Sequence, residues 1–280
     1  MLIAQISDLH IRRPGQLAYR KVDTAPFLTR CIERLNHWVQ PIDAVLITGD
    51  LVDAGHPDEY AHLRTLLATL KIPYYLMVGN HDRRAPLRDA FPDAAYLFES
   101  GDDFIQYRVA LGSAAAPLHL IALDSLDDPR SGGRLCATRL SWLAQALETS
   151  KAAPVIVALH HPPFRTGIGH MDSAILDAAD TQLLAELIGR YPNVERVLCG
   201  HLHRPMYTRF AGTIASTAPS PAHQVVLDLA PQAAADFVME PPAFTLHDWQ
   251  ADGGLVSHHA YLDHFDGPYP FHESDGALIL

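Results

Sequence analysis

Histidine, aspartate and asparagine recur in five short motifs, and each motif directly follows a run of apolar residues. The motifs are Ser7-Asp8-Leu9-His10, Gly49-Asp50-Leu51-Val52-Asp53, Gly79-Asn80-His81-Asp82, His160-His161-Pro162 and Gly200-His201-Leu202-His203. Carboxylate oxygen mixed with imidazole nitrogen suits divalent Zn, Mn, Fe or Co. The motifs contain no thiolate, which disfavours a closed structural zinc site. Seven such ligands are too many for one tetrahedral ion, so the motifs predict two ions that share a bridging carboxylate.

The apolar runs before these motifs predict β-strands, and helical patterns alternate with them. Six strands are predicted, over Leu2–Ile6, Ala44–Thr48, Tyr74–Val78, His119–Leu123, Val155–Leu159 and Val194–Cys199. Four helices are predicted around Leu28–Leu35, Leu63–Leu70, Leu140–Leu147 and Leu184–Tyr191. Strands that are apolar throughout indicate a sheet covered on both faces, and the alternation with helices predicts a layered α/β core. Ligands bind at the carboxyl ends of strands in such sheets, so we expect the five motifs to meet at one edge.

The sequence changes character after about residue 205. Helical periodicity stops, prolines become frequent, and further strands are predicted over Met206–Phe210, Gln224–Leu229, Phe244–Trp249 and Leu255–Leu262. Upstream of this point, Phe104–Leu111 alternates and predicts a half-exposed, antiparallel strand. We therefore expect a catalytic core over residues 1–205. A β-rich portion over residues 206–280 would complete that core and form a cap or the interface of a homo-oligomer, a dimer or higher.

Composition restricts the partners and the compartment. The chain has 280 residues with 21 Lys+Arg against 32 Asp+Glu, a net charge of −11, which disfavours a long nucleic acid as ligand. No apolar run approaches the roughly 20 residues of a membrane span, and the N-terminus has no signal-peptide pattern. Three dispersed cysteines and these absences predict a cytoplasmic protein without a membrane partner. Of the 17 histidines, nine are expected to be solvated surface residues: His37, His56, His62, His119, His247, His258, His259, His264 and His272. For the last five of these, a metal-binding surface patch is the alternative.

The order of the five motifs resembles that of the calcineurin-like metallophosphoesterase superfamily over residues 1 to about 205. Within it, the short bacterial class III cyclic-nucleotide phosphodiesterases and glycerophosphodiesterases are most similar in length, in the His-His-Pro-Pro run and in the C-terminal β portion. The resemblance implies an α/β/β/α sandwich and two ions per chain, Fe, Mn, Zn or Co. It implies that the first ion is held by Asp8, His10 and His203, that Asp50 bridges, and that the second ion is held by Asn80, His160 and His201.

The resemblance also implies roles beside the ions. His81 would be catalytic, as proton donor to the leaving group or as electrostatic stabiliser. Asp82 is grouped with it. Capping of the following helix and a supporting hydrogen bond beside the ligands are two equal alternatives for Asp82. Substrate contacts are expected from Asn80, His81, His161 and His223, and His161 has a purely supporting role as its alternative.

The implied reaction is hydrolysis of a small phosphodiester by water that the two metals activate. The substrate would be a 3',5'-cyclic nucleotide such as cAMP, or a glycerophosphodiester. Ala54 replaces the arginine of the protein serine/threonine phosphatases, and Asp53 replaces the tyrosine ligand of the purple acid phosphatases. A phosphomonoesterase, a nuclease and a non-enzymatic metal-binding module remain as alternatives.

Overall fold

Two β-sheets form the centre of the fold. The computed structural model describes residues 1–101 and 103–279. The first sheet consists of β1 (Leu2–Ile6), β2 (Ala44–Ile47), β3 (Tyr74–Leu76), β12 (Ala243–Gln250) and β13 (Gly254–Tyr261). Their order is β13-β12-β1-β2-β3. Strands β1, β2 and β3 are parallel, and β12 joins β1 antiparallel.

The second sheet has six strands in the order β4-β5-β6-β7-β9-β8. They are β4 (Tyr107–Ser113), β5 (Ala116–Leu123), β6 (Val155–Leu159), β7 (Val194–Cys199), β8 (Met206–Phe210) and β9 (Thr213–Thr217). The four inner strands are parallel, whereas the edge strands β4 and β8 are antiparallel to their neighbours. A separate ribbon pairs β10 (Gln224–Val225) with β11 (Phe237–Val238).

Within the ranges described, six helices connect the strands. They are α1 (Ala25–Asn36), α2 (Pro57–Leu67), α3 (Arg84–Ala90), α4 (Ala137–Thr149), α5 (Gly169–Asp172) and α6 (Ala178–Ile188), with a 3₁₀ turn at Ala95–Phe98. Helix α2 has its N-cap at His56, whose Nδ1 accepts from the Asp58 N–H at 3.3 Å and whose own N–H donates to Glu59 Oε2 at 3.2 Å, with Pro57 in the first turn. Within the described residues, no helix is long and apolar enough to cross a membrane.

The alternation of side chains along the second sheet creates two apolar layers. Leu118, Leu120 and Ala122 of β5 join the core between the sheets, while Ile121 and Leu123 face the core that contains α4 and α6. Apolar residues of α1, α2 and α3 belong to the layer of the first sheet. The predicted α/β/β/α layering is therefore confirmed.

The C-terminal portion adds strands to both sheets. Strands β8 and β9 extend the second sheet beside β7, and the hairpin of β12 and β13 extends the first sheet beside β1. The division at residue 205 stays a prediction.

Three local expectations differ from the structure. Strand β4 begins at Tyr107 rather than Phe104, and the strand predicted over Gln224–Leu229 ends at Val225. A turn follows there, in which the Asp228 N–H bonds the Val226 carbonyl and Leu229 is 62% exposed. His247 was expected at the surface, but its side chain is buried in β12.

Candidate metal centre

The five polar motifs lie together where parallel strands of both sheets end. Strand β1 leads to Asp8 and His10, β2 leads to Asp50, and β3 leads to Asn80. In the other sheet, β6 leads to His160, and β7 leads to His201 and His203. Because these strands run parallel within each sheet, their carboxyl ends share one edge of the sandwich.

Distances between donor atoms divide six of the seven residues into two overlapping sets, and a ring nitrogen of His201 lies within 4.8 Å of one of His160. His10 Nε2 lies 3.2 Å from His203 Nε2, and His203 Nε2 lies 3.6 Å from Asp8 Oδ1. His160 Nε2 lies 3.2 Å from Asn80 Oδ1. Asp50 Oδ2 is 3.7 Å from His10 Nε2 and 3.3 Å from His160 Nε2, so this carboxylate stands between the two sets.

The hydrogen bonds that Nδ1 makes show whether His10 and His203 carry a hydrogen on the Nε2 atoms that face each other. His203 Nδ1 donates to the His223 carbonyl at 3.0 Å, and His10 Nδ1 donates to Asp53 Oδ1 at 3.2 Å. Burial holds the pKa of His10 well below its ordinary value and lowers that of His203 to about 4. Both rings are therefore neutral at pH 7, and their Nε2 lone pairs face each other without a hydrogen between them.

A divalent cation satisfies this arrangement. Two ligands of one ion lie about 3 Å apart when each is roughly 2.0–2.1 Å from the metal, and an outer nitrogen held by a carboxylate or carbonyl is usual for metal-binding histidine. His201 Nε2 is likewise buried without a hydrogen-bond partner. For His160, burial lowers the pKa but Asp50 and Asp8 outweigh it and raise the pKa to about 9, so a metal would displace a proton there. The donor set fits two divalent ions.

The backbone at this edge is strained where the donors sit. Eight non-glycine residues described in the structure have positive φ, and five of them are predicted ligands. These are Asp8 (57°), His10 (46°), Asp50 (48°), His201 (70°) and His203 (53°). Left-handed backbone costs a non-glycine residue about 1–2 kcal/mol, so its concentration at one place indicates a functional geometry.

Glycines let the ligand loops approach each other. A Cβ at Gly79 would overlap Asp50 Oδ1, and a Cβ at Gly49 would lie 2.5 Å from His160 Nδ1. Gly49 also has a φ of +94°, which glycine adopts without strain. The glycines before the ligands in three motifs are therefore required by packing between the loops.

His81 lies at the mouth of the cluster with a partly exposed ring. Its backbone N–H donates to Asp50 Oδ1 at 2.9 Å, and its Nδ1 donates to the Asp53 carbonyl at 2.7 Å. Burial lowers the pKa of His81, but the charges of Asp50 and Asp53 outweigh it and raise the pKa above its ordinary value. Nε2 is thus the ring nitrogen left for a substrate, and the ring stands edge-on to His10 at 4.6 Å.

The hydrogen bonds of Asp82 match the supporting role that is one of its alternatives, and a catalytic role stays a prediction. Its carboxylate is buried and accepts hydrogen bonds from the N–H groups of Gly79 (2.8 Å) and Leu51 (3.1 Å) and from the Tyr60 hydroxyl (3.0 Å). Helix α3 has Arg83 at its N-cap and no side-chain cap. Asp82 therefore joins the loop after β2 to the loop after β3 and does not touch the open face.

The two ring nitrogens of His161 both have partners within the protein. Its ring is buried, Nδ1 accepts from Ser125 Oγ at 2.8 Å, and Nε2 donates to the Ser131 carbonyl at 3.1 Å. Burial lowers its pKa to about 3. Both nitrogens are thus occupied inside the protein, which favours the supporting role that is the alternative for His161, and contact with substrate stays a prediction.

His223 lies beside the first ligand set, beneath aromatic side chains. Its ring centroid is 4.6 Å from that of His203, 5.2 Å from that of Tyr19 and 5.3 Å from that of Phe237. Its Nδ1 is buried without a hydrogen-bond partner. The position beside the ligands is as expected, and contact with substrate stays a prediction.

Sequence reasoning missed two residues that shape this site. Asp53 bonds His10 through its side chain and His81 through its carbonyl, and the Tyr19 ring lies tilted against the His10 ring with 5.7 Å between the centroids. The spacing of Asp53 from Asp50 was a usable signal, because both follow β2 in one loop. Tyr19 lies on a separate loop, and nothing in its local sequence indicates this contact.

Comparison with known proteins agrees with this geometry. Residues 1–205 match the family model for calcineurin-like phosphoesterases. The chain is 39% identical over 279 residues to a probable glycerophosphodiester phosphodiesterase of Arcobacter nitrofigilis, with 100% of each chain covered. It is 32% identical over 278 residues to a probable cyclic nucleotide phosphodiesterase of Rhodopseudomonas palustris, covering 98% of this chain and 97% of that one.

A solved structure supports the fold. A dimetal phosphatase from Danio rerio superposes with a TM-score of 0.61 at 14% identity, covering 94% of this chain and 99% of that one. With the full-length relatives and the family match, this establishes that the chain belongs to the calcineurin-like phosphoesterase family.

Proposed function

We propose that the protein is a dinuclear-metal phosphodiesterase acting on small phosphodiesters. Asp8, His10 and His203 would hold the first ion, and Asn80, His160 and His201 would hold the second. Asp50, whose carboxylate lies between the two sets, would be shared by both. The observation that carries the proposal is the pair of neutral Nε2 atoms of His10 and His203, 3.2 Å apart, beside a carboxylate that also reaches His160.

Two divalent ions bound there supply Lewis acidity and an acidified water for attack on phosphorus. The protein's own residues do the rest. Asn80 and His81 border the position of the phosphate, and Asp50 fixes His81 through its backbone N–H. His81 carries a proton at Nε2 to the leaving oxygen, because its Nδ1 is committed to the Asp53 carbonyl. His223 contacts the substrate from the side of the first ion.

The ion pairs of Arg12 and Arg83, beside the metal centre, favour the binding of a phosphodiester over that of a phosphomonoester. Arg12 is already paired, at 3.2 Å with Asp53 and 2.9 Å with Glu59. Arg83 is paired with Asp128 at 3.4 Å. A monoester dianion needs positive charge beyond the metals, and these two guanidinium groups are neutralised by carboxylates. A diester carries one charge fewer, so it suits this mouth better.

Both glycerophosphodiesters and 3',5'-cyclic nucleotides are proposed substrates, because relatives named for each class match along nearly the whole chain. The test uses protein reconstituted with Mn²⁺ or Zn²⁺ and assayed on glycerophosphoethanolamine, cAMP, and bis- and mono-p-nitrophenyl phosphate. We expect turnover of a natural diester, faster hydrolysis of the bis ester than of the mono ester, and loss of activity with chelator. A tenfold preference for the mono ester would contradict the proposal.

We further propose a cytoplasmic enzyme that self-associates through its C-terminal portion. The described cysteines Cys31, Cys136 and Cys199 are all free thiols, which suits a reducing compartment. Phe265, Tyr269 and Phe271 are 63%, 69% and 81% exposed, an unusual density of solvated aromatic rings for a monomer. Sedimentation of the full chain tests the self-association.

A further inference from the structure

A buried side-chain amide lies between the strands that carry the candidate ligands. Gln5, on β1, is 1% exposed. Its Nε2 donates to Thr48 Oγ1 at 3.0 Å and to the carbonyl of Cys199 at 2.9 Å. Thr48 follows β2 and Cys199 ends β7, so one amide group joins the first sheet to the second.

The Cys199 carbonyl fixes the orientation of this amide. A carbonyl only accepts, so the atom of Gln5 that faces it must be nitrogen. The Gln5 oxygen therefore points the other way, to His247 Nε2 at 3.1 Å. His247 must donate from Nε2, which leaves its Nδ1 to accept from Ser257 Oγ at 2.8 Å.

The hydrogen-bond network that links Gln5, His247 and Ser257 ends at an arginine. Arg196 Nη1 donates to Ser257 Oγ at 3.0 Å, so the Ser257 hydroxyl hydrogen is directed to His247. Burial and the charge of Arg196 lower the pKa of His247 to about 3, which keeps the ring neutral. Each polar atom of His247 and Gln5 thus has a protein partner, two in the case of Gln5 Nε2, and one possible role as donor or acceptor.

The near end of the network reaches the ligand loops. Asp8 comes three residues after Gln5, Asp50 comes two after Thr48, and His201 comes two after Cys199. The carbonyl of Thr48 accepts from His160 Nδ1 at 2.8 Å. Four strand ends that lead to ligands are therefore linked through Gln5 and Thr48.

We propose that Gln5 and His247 are positioning residues for the metal centre. Gln5 sets the spacing of the strand ends after β1, β2 and β7, and His247 holds the Gln5 amide in the orientation that this requires. His247 lies outside residues 1–205, so the C-terminal hairpin acts on the ligands from beyond the family's common segment. The inference rests on the dinuclear site of the proposed function and not on its substrate.

The test measures metal binding directly. Zn²⁺ affinity of apoprotein is determined for each ion by chelator competition, at pH 7.5 and well below the unfolding temperature. Loss of outer partners of metal ligands typically weakens affinity by about ten- to a hundredfold. We expect a loss of this size for Gln5→Met and for His247→Asn, whose shorter amide does not reach Gln5. His247→Gln places a donor near the position of Nε2 and should restore affinity to within about threefold of wild type.

Thr245→Val is the matched control. Thr245 lies opposite Gln5 on β12, is 2% exposed, and has a buried Oγ1 without a hydrogen-bond partner. Removing that hydroxyl should leave Zn²⁺ affinity unchanged. Unchanged affinity in folded Gln5→Met and His247→Asn would overturn the proposal and leave the network a purely structural role. Because turnover is not measured, a wrong substrate class does not affect this result, and wild-type protein that binds fewer than two ions would contradict the proposed function instead.

Discussion

At the scale of single residues, the partners of the two ring nitrogens separate a proposed metal-ligand histidine from one with only protein partners. His203 gives its Nδ1 proton to a carbonyl and presents a bare Nε2 to His10. His161 lies one residue from a ligand but has protein partners on both nitrogens. Local sequence alone does not distinguish the two, because the Ser125 and Ser131 partners of His161 come from more than 25 residues away.

His81 provides a prediction about proton transfer. His81→Ala should slow hydrolysis of glycerophosphoethanolamine by about 10²–10⁴-fold, the usual contribution of a histidine general acid. Hydrolysis of bis-p-nitrophenyl phosphate should fall by less than about tenfold, because its acidic leaving group needs no proton. Elemental analysis should still find two ions per chain, since the side chain of His81 is not a proposed ligand.

The exposed His37 at the end of α1 is a suitable control, and His37→Ala should leave both rates unchanged. An equal loss of rate for both leaving groups in His81→Ala would exclude proton donation and leave only electrostatic stabilisation.

At the scale of elements, the sequence was sufficient to predict which strands carry the site. Apolar runs such as Val155–Leu159 and Val194–Cys199 are strands with the expected bounds, because they are buried on both faces and each is followed by a polar motif. Parallel topology then brings their carboxyl ends together, whatever the details of the loops.

Contacts between elements were not predictable in this way. Asp82 bonds Tyr60 of α2, and His247 bonds Gln5 from 242 residues away, so both side chains are buried by distant partners. A lone polar residue in a strand or turn gives no local signal of such a partner, and exposure is the default expectation.

The contact between α2 and the ligand loops leads to a prediction for Tyr60. Tyr60→Phe removes the hydroxyl that donates to Asp82 and accepts from the Arg83 N–H at 2.7 Å. The buried partners left unsatisfied should lower the free energy of unfolding by about 1–3 kcal/mol. Because Asp82 joins the loops that bear Asp50 and Asn80, affinity for the second ion should also fall, as measured by chelator competition.

Tyr96→Phe is the matched control, since the Tyr96 hydroxyl also bonds two backbone groups, those of Leu76 and Tyr74, outside the ligand loops. It should lose stability without losing metal affinity. If both variants lose affinity equally, Tyr60 acts only through overall stability.

At the scale of the whole molecule, the two halves of the sequence build each sheet together. Strand β12 pairs with β1 and places His247 next to Gln5, and β9 pairs with β7 on the other sheet. A chain cut after residue 205 would expose the free edge of β1 beside the ligands, so the C-terminal portion and the metal centre should fold as one cooperative unit.

This shared core makes global stability depend on pH through His247. Burial, Arg196 and His258 lower its pKa in the folded protein to about 3, whereas in the unfolded chain it is close to 6.5. Between these values the unfolded chain binds the extra proton, so stability is lost as pH falls below 6.5. From pH 7.5 to 5.0 this loss of the free energy of unfolding amounts to about 2 kcal/mol.

The variant His247→Gln has no such titrating group. Urea unfolding of the metal-loaded variant should therefore show a loss in the free energy of unfolding that is about 2 kcal/mol smaller than that of wild type over this pH range. His161 titrates equally in both proteins and cancels from the comparison. Identical pH dependence in variant and wild type would mean that His247 is not held neutral in the native state.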